Sequence, residues 1–119
     1  MELKITIELA ANFETVLRHC ALDGAERVTY SFKVTEDGSN ASLKYYDADN
    51  QPIGDDRDYD ILKSCFGRLD ALRLNLVRTA DNTLAERLIE DQTPTTNIEL
   101  SELNIDLDLI SGQMSVSGK

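Results

Sequence analysis

The densest run of chemically active side chains is the aspartate-rich stretch DADNQPIGDDRDYD, residues 47–60. Carboxylates at short spacing can bind a metal ion, carry out acid–base catalysis, or form a charged surface that attracts a basic partner. These three kinds of site need different neighbouring residues. The sequence can therefore be used to choose between them.

A calcium loop needs a glycine at its sixth position and a bidentate glutamate at its twelfth. If Asp47, Asp49 and Gln51 take the first, third and fifth positions, the sixth is Pro52 and the twelfth is Asp58. Zinc needs four ligands, and the chain has one histidine and two distant cysteines. No metal or other cofactor is therefore predicted.

Catalysis by paired carboxylates requires one apolar and one polar environment, whereas these acids are crowded in hydrophilic sequence. Nucleophilic catalysis would depend on His19, the only histidine, and its neighbour Cys20 points to a different part of the helix surface. Phosphate-binding glycine loops and dinucleotide motifs are missing from the sequence. We predict a non-enzymatic protein without catalytic residues, in which Cys20 and Cys65 are buried free thiols.

The formal net charge of −10 is unevenly distributed along the chain. Residues 36–60 and 79–108 carry most of the acidic surplus, and residues 61–78 are basic. Such a field repels nucleic acids and anionic membranes but accelerates the encounter with a basic protein. Direct binding to nucleic acid or membrane is not expected. The sequence has no bilayer-length apolar run and no leader pattern, so we expect a cytoplasmic protein.

A binding surface is the remaining interpretation of the acidic stretch. Alternate aspartates on an extended strand, as in residues 56–60 and 106–108, would stand about 7 Å apart on one face, which is comparable to the step between nucleic-acid phosphates. They could occupy the Lys and Arg groups of a nuclease or DNA-binding protein, and neighbouring tyrosines would add contact area. The predicted partner-binding residues are Asp47, Asp49, Asp55, Asp56, Asp58, Asp60, Tyr46, Tyr59, Glu99, Glu102, Asp106 and Asp108.

The first half of the chain supplies a strand, a helix and a hairpin. Alternating apolar residues predict a strand over residues 2–8. A helix over 12–22 would begin at Asn12 and stop at Asp23–Gly24. Two further alternating runs, residues 28–34 and 41–46, flank Asp37–Gly38 and predict a β-hairpin.

The second half begins with a helical pattern over 60–79, and Thr83 starts a capping-box sequence that predicts another helix over 83–91. Residues 93–96 break that helix, and a strand segment from 98 to 110 shifts its apolar phase near Ser101–Glu102, which indicates a bulge or a bend. A turn at Ser111–Gly112 then leads to a last strand over 113–117.

These elements predict one α+β domain over residues 1–119. Their order is β-α-β-β-α(α)-β-β, without the regular strand–helix alternation of a parallel sheet. We therefore expect a mainly antiparallel sheet with one short and one long helix packed on one face.

Three segments carry a resemblance to known proteins: VTYSFKVTEDGSNASLKYYDADNQPIGDD, DYDILKSCFGRLDALRLNLV and TNIELSELNIDLDL. Their order and acidity, over roughly residues 12–110, resemble small acidic immunity proteins of bacterial toxin systems, including the YezG-like group. The chain is also similar to DNA-mimic proteins in charge and size. These resemblances imply an antitoxin-like inhibitor whose target is a nuclease toxin, a repressor or a nucleoid protein. They assign no specific residue.

The leading hypothesis is a non-enzymatic inhibitor that presents carboxylates to the Lys/Arg site of a basic, nucleic-acid-binding protein. The alternative is a structural or assembly module whose acidic surface is simply solvated. An enzyme or a calcium-binding protein comes last.

Overall fold

A computed structural model describes residues 3–74, 76–78, 81–86 and 100–119. Within them the chain has an α+β fold with two sheets. The elements are β1 (Lys4–Ile5), α1 (Ile7–His19), β2 (Arg27–Thr35), β3 (Gly38–Tyr46), β4 (Pro52–Ile53), a 3₁₀ turn (Asp56–Asp58), α2 (Tyr59–Leu74), β5 (Leu76–Arg78), β6 (Thr83–Glu86), β7 (Glu102–Asp108) and β8 (Met114–Gly118).

The larger sheet has the strand order β4-β3-β2-β7-β8 and is antiparallel throughout. The predicted hairpin is confirmed as β2 and β3, which pair from Arg27 opposite Tyr46 to Thr35 opposite Gly38. The loop between them is Glu36–Asp37. Gly38 begins β3 at φ +127°, a backbone conformation that residues other than glycine rarely adopt.

Both helices pack on the same face of this sheet, as predicted. Alternate residues such as Tyr30 and Phe32 point toward them and are buried, which is the period-two pattern of a half-buried strand. The Tyr45 hydroxyl bonds to α1, and the guanidinium of Arg73 on α2 lies 3.8 Å from the ring centroid of Phe32. The core between helices and sheet is apolar. No helix within the described ranges is long and apolar enough to cross a membrane.

A second, three-stranded sheet with the order β1-β6-β5 was not predicted. β1 pairs parallel with β6, and β5 pairs antiparallel with β6. Just before β1, the Leu3 N–H donates a 3.0 Å hydrogen bond to the Val116 carbonyl on β8. The segment that contains Leu3 therefore connects the two sheets.

The predicted strand over residues 2–8 is wrong beyond Ile5, because α1 begins at Ile7. Thr6 is the N-cap, and its hydroxyl accepts the Leu9 N–H at 3.4 Å. Leu9 fits both an alternating strand pattern and a helical one. The predicted cap Asn12 lies inside α1, where its side chain bonds to Glu86 on β6.

The predicted helix over 60–79 is confirmed for most of its length, but α2 ends at Leu74. The predicted helix over 83–91 is wrong for residues 83–86, which form β6. Its capping-box sequence is paired instead with β5 and β1. The Asn82 side chain accepts two hydrogen bonds from Arg78, and its φ of +63° turns β5 back into β6. Residues 87–91 lie outside the described residues.

The C-terminal strands agree with the sequence pattern. The chain bends at Ser101, where the apolar phase shifts, and β7 follows. Gly112 turns the chain at φ +78°, and β8 begins at Met114. The predicted strand residues 98–99 and the break over 93–96 are outside the described residues, and so is the candidate Glu99.

Candidate functional site

The strand register brings the two acidic blocks to one end of the larger sheet. β2 begins at Arg27, which faces the last residue of β3, Tyr46, on one side and the last residue of β7, Asp108, on the other. Adjacent strands lie about 4.8 Å apart, so the chain after β3 and the end of β7 are about 10 Å from each other. We call this region the acidic end. It contains Asp47, Asp49, Asp106 and Asp108, with Asp55, Asp58 and Asp60 just beyond β4.

Arg27 lies between these two blocks. Its Nε is buried without a hydrogen-bond acceptor, 3.7 Å from Oδ1 of Asp106, and its guanidinium carbon is 4.4 Å from the ring centroid of Tyr46. The arginine thus offsets part of the local negative charge. It also covers one face of Tyr46, a predicted binding residue that is half-buried.

Asp47 organises the turn that follows β3. Its Oδ1 accepts the main-chain N–H groups of Asp49 at 2.9 Å and Gln51 at 3.0 Å. Asn50, at φ +61°, completes the turn. Asp47 therefore has a structural role, typical of aspartate in turns. The Asp49 side chain is exposed and makes no hydrogen bond or ion pair with the described residues.

The carboxylates of Asp55 and Asp58 accept main-chain N–H groups just before α2. The Asp58 carboxylate accepts the Asp55 N–H at 2.9 Å, and Asp55 accepts the Arg57 N–H at 2.8 Å. The bond from the Asp55 N–H to Asp58 is one half of a capping box, whereas the Asp55 carboxylate accepts the N–H two residues later instead of three. The Arg57 side chain, 2.7 Å from Asp55, and then its N–H, hold the pKa of Asp55 below its ordinary value.

The extended spacing considered for Asp56, Asp58 and Asp60 does not occur. Residues Asp56–Asp58 form a 3₁₀ turn, and Asp60 lies in the first turn of α2. The carboxylates of Asp58 and Asp60 are near the N-terminus of α2, where negative charge interacts favourably with the helix dipole. These acids therefore cannot present a strand-like ladder of charges.

Asp106 and Asp108 do lie on one face of β7, the face opposite the helices, as the alternation predicted. Asp106 is 50% exposed. Asp108 instead accepts the N–H groups of Ile110 at 2.8 Å and Ser111 at 3.1 Å in the turn to β8. The Ser111 N–H, and then that of Ile110, lower the pKa of Asp108.

Glu102 is separate from the acidic end. It lies at the other end of β7, opposite Lys33, and is about 13 Å from Asp106 along the strand. The Asn104 side-chain amide donates to it at 3.1 Å and lowers its pKa. The structure therefore does not bring Glu102 together with the other predicted acids.

Two exposed non-acidic side chains border the acidic end. Tyr59, at the start of α2, is 64% exposed, and the Lys63 ammonium lies 6.0 Å from its ring centroid. Ile110, in the turn after Asp108, is 74% exposed. Ile110 was not among the predicted binding residues, although it falls out of phase with the apolar run that ends at Leu109, and this off-phase position was the signal for its exposure. Sequence reasoning also missed Glu26, whose main chain bonds to Tyr46 and Leu109 at this end of the sheet.

The two thiols are removed from this surface. Cys20 and Cys65 are both buried and free, as predicted. Cys65 Sγ lies 4.0 Å from the Val16 carbonyl oxygen, and burial raises the pKa of this thiol to about 12. A thiol with such a pKa is a poor nucleophile near neutral pH.

Within the described ranges, no three His, Cys, Asp or Glu side chains are grouped as potential ligands of a metal ion. No protein-family model matches the chain, and no curated protein matches it at a significant level. The resemblance to immunity and DNA-mimic proteins stays a prediction.

Proposed function

We propose that this chain is a non-enzymatic acidic binding protein of the cytoplasm that inhibits a basic, nucleic-acid-binding protein, such as a nuclease toxin or a nucleoid protein. The register at Arg27 carries this proposal, because it joins the ends of β3 and β7. Acidic residues that are far apart in sequence then act on a partner from one direction. A combined field of this kind steers a basic protein toward its binding surface.

The carboxylates of the acidic end contribute in two ways. Those that hold turns or the helix start, such as Asp47, Asp58 and Asp108, have fixed positions and add to the field. Asp49 and Asp60 are exposed, and their carboxylates make no hydrogen bond or ion pair within the described part of the chain, so they are free to pair with Lys or Arg side chains. We assign direct contact with the partner chiefly to this second group.

Charge alone would give a fast but short-lived complex, because exposed ion pairs contribute little affinity. Tyr59 and Ile110 supply apolar area beside the charges. Exposed side chains of this kind gain from burial against a partner, which slows dissociation. The proposal is therefore a charged surface with apolar anchors at its border.

The test starts with proteins captured from a bacterial lysate on the immobilised chain. The affinity of each captured protein is then compared between the wild type, the variant Asp49→Asn/Asp60→Asn, and the control Glu8→Gln/Glu102→Gln, which removes the same charge away from the acidic end. The first variant should lower the affinity for a basic partner roughly tenfold, and the control should lower it much less. Competition between the chain and DNA for that partner is the direct assay of inhibition.

Three results would contradict the proposal. One is that the captured proteins include no basic protein. Another is binding that does not change when the salt concentration is raised to about 0.5 M, where charge interactions are strongly screened. The third is equal loss of affinity in the two double variants, which would mean that the position of the acids is unimportant.

A structural or assembly module is the second candidate. It is favoured by the exposed outer edge of β3, which makes pairing with another strand possible. Such a protein would show self-association without capture of basic partners.

A further inference from the structure

Among the residues that the structure describes, none pairs with the outer edge of β3 over most of its length. β4 pairs only with Tyr45 and Tyr46, and residues 38–42 are all exposed. On the inner side, β3 pairs with β2 along its whole length. A row of main-chain groups on β3 is therefore available to another strand.

The register identifies these main-chain groups. Val34 on β2 donates its N–H to Ser101, on the β7 side, so the even-numbered residues of β2 bond toward β7. The odd-numbered residues of β2 must then bond toward β3, where their partners carry even numbers. The N–H and C=O groups of Ser39 and Ala41 consequently point out of the sheet edge.

This edge lacks the features that normally protect edge strands. Residues 38–42 read GSNAS and include no charge and no proline. At the opposite edge of the sheet, by contrast, the Leu3 N–H bonds to Val116 on β8. Lys44 is the nearest charged residue of β3, and it lies beside the exposed run rather than within it.

We infer that β3 is a self-association strand, which pairs antiparallel with β3 of a second copy around a two-fold axis at Asn40. Ser39 of each copy then faces Ala41 of the other, and each such pair exchanges two main-chain hydrogen bonds. The Asn40 side chains of the two copies face each other. A carboxamide has both donors and an acceptor, so this pair is self-complementary.

Charge complementarity selects a second copy as the occupant. In this register Lys44 of one copy extends past Gly38 of the other and lies beside its acidic hairpin loop, within side-chain reach of Glu36, and the symmetry repeats this contact. Both side chains are exposed in the single chain. A register shifted toward Tyr45 would drive the hairpin loop of the second copy into β4, which already occupies the edge there. The axis at Asn40 avoids this overlap.

The resulting dimer has one continuous sheet, with the two acidic ends pointing in opposite directions because the strands run antiparallel. Each acidic end remains accessible. The paired segments are short, so we expect a weak dimer with a dissociation constant in the range of roughly micromolar to millimolar.

Sedimentation equilibrium of the whole chain over a series of concentrations tests this inference. The wild type should form a dimer, and Ala41→Pro should shift it to monomer, because proline removes an outward N–H and its ring obstructs the edge. The Ala41 N–H is not used in pairing with β2, so circular dichroism of this variant should match the wild type. A wild type that stays monomeric up to about 1 mM overturns the inference.

A charge exchange tests the register and does not depend on proline being tolerated. Lys44→Glu should weaken the dimer roughly tenfold, since two symmetric ion pairs become repulsive. Adding Glu36→Lys should restore the wild-type dissociation constant. If the double variant is as weak as Lys44→Glu alone, or if Lys44→Glu has no effect, pairing around Asn40 is wrong.

Discussion

The hydroxyl group of Tyr45 donates a hydrogen bond of 2.9 Å to the main-chain carbonyl oxygen of Leu17. Tyr45 is on β3 and Leu17 is in the last turns of α1, and both are buried. A helix carbonyl near the C-terminus needs a partner when it is shielded from water. This hydrogen bond therefore fixes α1 against the sheet at the end where the acidic residues collect.

Tyr45→Phe should lower the free energy of unfolding by about 1–2 kcal/mol, because it leaves the buried Leu17 carbonyl without its donor. Urea unfolding followed by circular dichroism measures this loss. The matched control is Tyr46→Phe on the opposite face of the same strand, which should stay within about 0.5 kcal/mol of the wild type. Equal effects of the two substitutions would contradict the role assigned to this hydrogen bond.

Alkaline pH should destabilise the protein through Cys65. Its pKa is raised by burial to about 12, above its ordinary value of 9.0, so the native state holds the proton more tightly than the unfolded state. The stabilising contribution is complete below pH 9 and is lost as pH rises toward 12, at up to about 1.4 kcal/mol per pH unit. Burial also raises the pKa of Tyr45, which adds to the loss at higher pH.

Urea unfolding at several pH values from about 8 to 10 tests this titration. The wild type should lose stability over that interval, and Cys65→Ala should lose less for each pH unit, although the substitution itself lowers stability at neutral pH. An identical pH dependence in both proteins would show that the Cys65 thiol is not responsible.

Two glycines should respond in opposite directions to replacement by alanine. Gly67 is exposed within α2, and an added Cβ meets no atom within 4 Å, so Gly67→Ala should stabilise by about 1 kcal/mol through helix propensity. At Gly118 the added Cβ would overlap the Glu102 carbonyl oxygen and lie 3.1 Å from a Leu3 methyl group. Gly118→Ala should destabilise by about 1–3 kcal/mol. Thermal unfolding measures both, and a stabilising Gly118→Ala would refute the tight contact.

Asp58 and Asp60 are close in sequence but should differ in their effect on stability. Asp58→Ala removes the acceptor of the Asp55 N–H and should destabilise by about 1 kcal/mol. Asp60→Ala removes an exposed charge in the first turn of α2 and should stay within about 0.5 kcal/mol of the wild type. Chemical unfolding of the two variants makes the comparison. Equal losses would mean that the capping interaction is not specific.

The hairpin was predictable from sequence because β2 and β3 each bury one face. Val28, Tyr30 and Phe32 alternate with polar residues, and a turn sequence separates the strands. The segment before α1 was mistaken for a longer strand because Leu9 fits both the two-residue period of a strand and the 3.6-residue period of a helix. At Thr83 the local helix signal was overridden by strand pairing. β6 pairs with β1, which is far away in sequence, and with the antiparallel neighbour β5.

The candidate site could be predicted only in part. The alternation of Asp106 and Asp108 on one face follows from strand geometry and is visible in the sequence. The capture of Asp47 and Asp58 by local main-chain N–H groups depends on turn conformation, which the sequence does not determine uniquely. The meeting of the acidic blocks depends on β2 pairing with both β3 and β7, a tertiary arrangement.

The contact between Leu3 and Val116 has a consequence for how the protein folds during synthesis. Leu3 leaves the ribosome early, but its hydrogen-bond partner is made only after β7. Contacts that are this far apart along the chain slow folding, because a long loop must close before they form. The β2–β3 hairpin can assemble on the nascent chain, whereas the connection between the two sheets must wait until β8 has emerged. We therefore expect ribosome-bound chains that end before β8 to leave the main chain at Leu3 sensitive to protease.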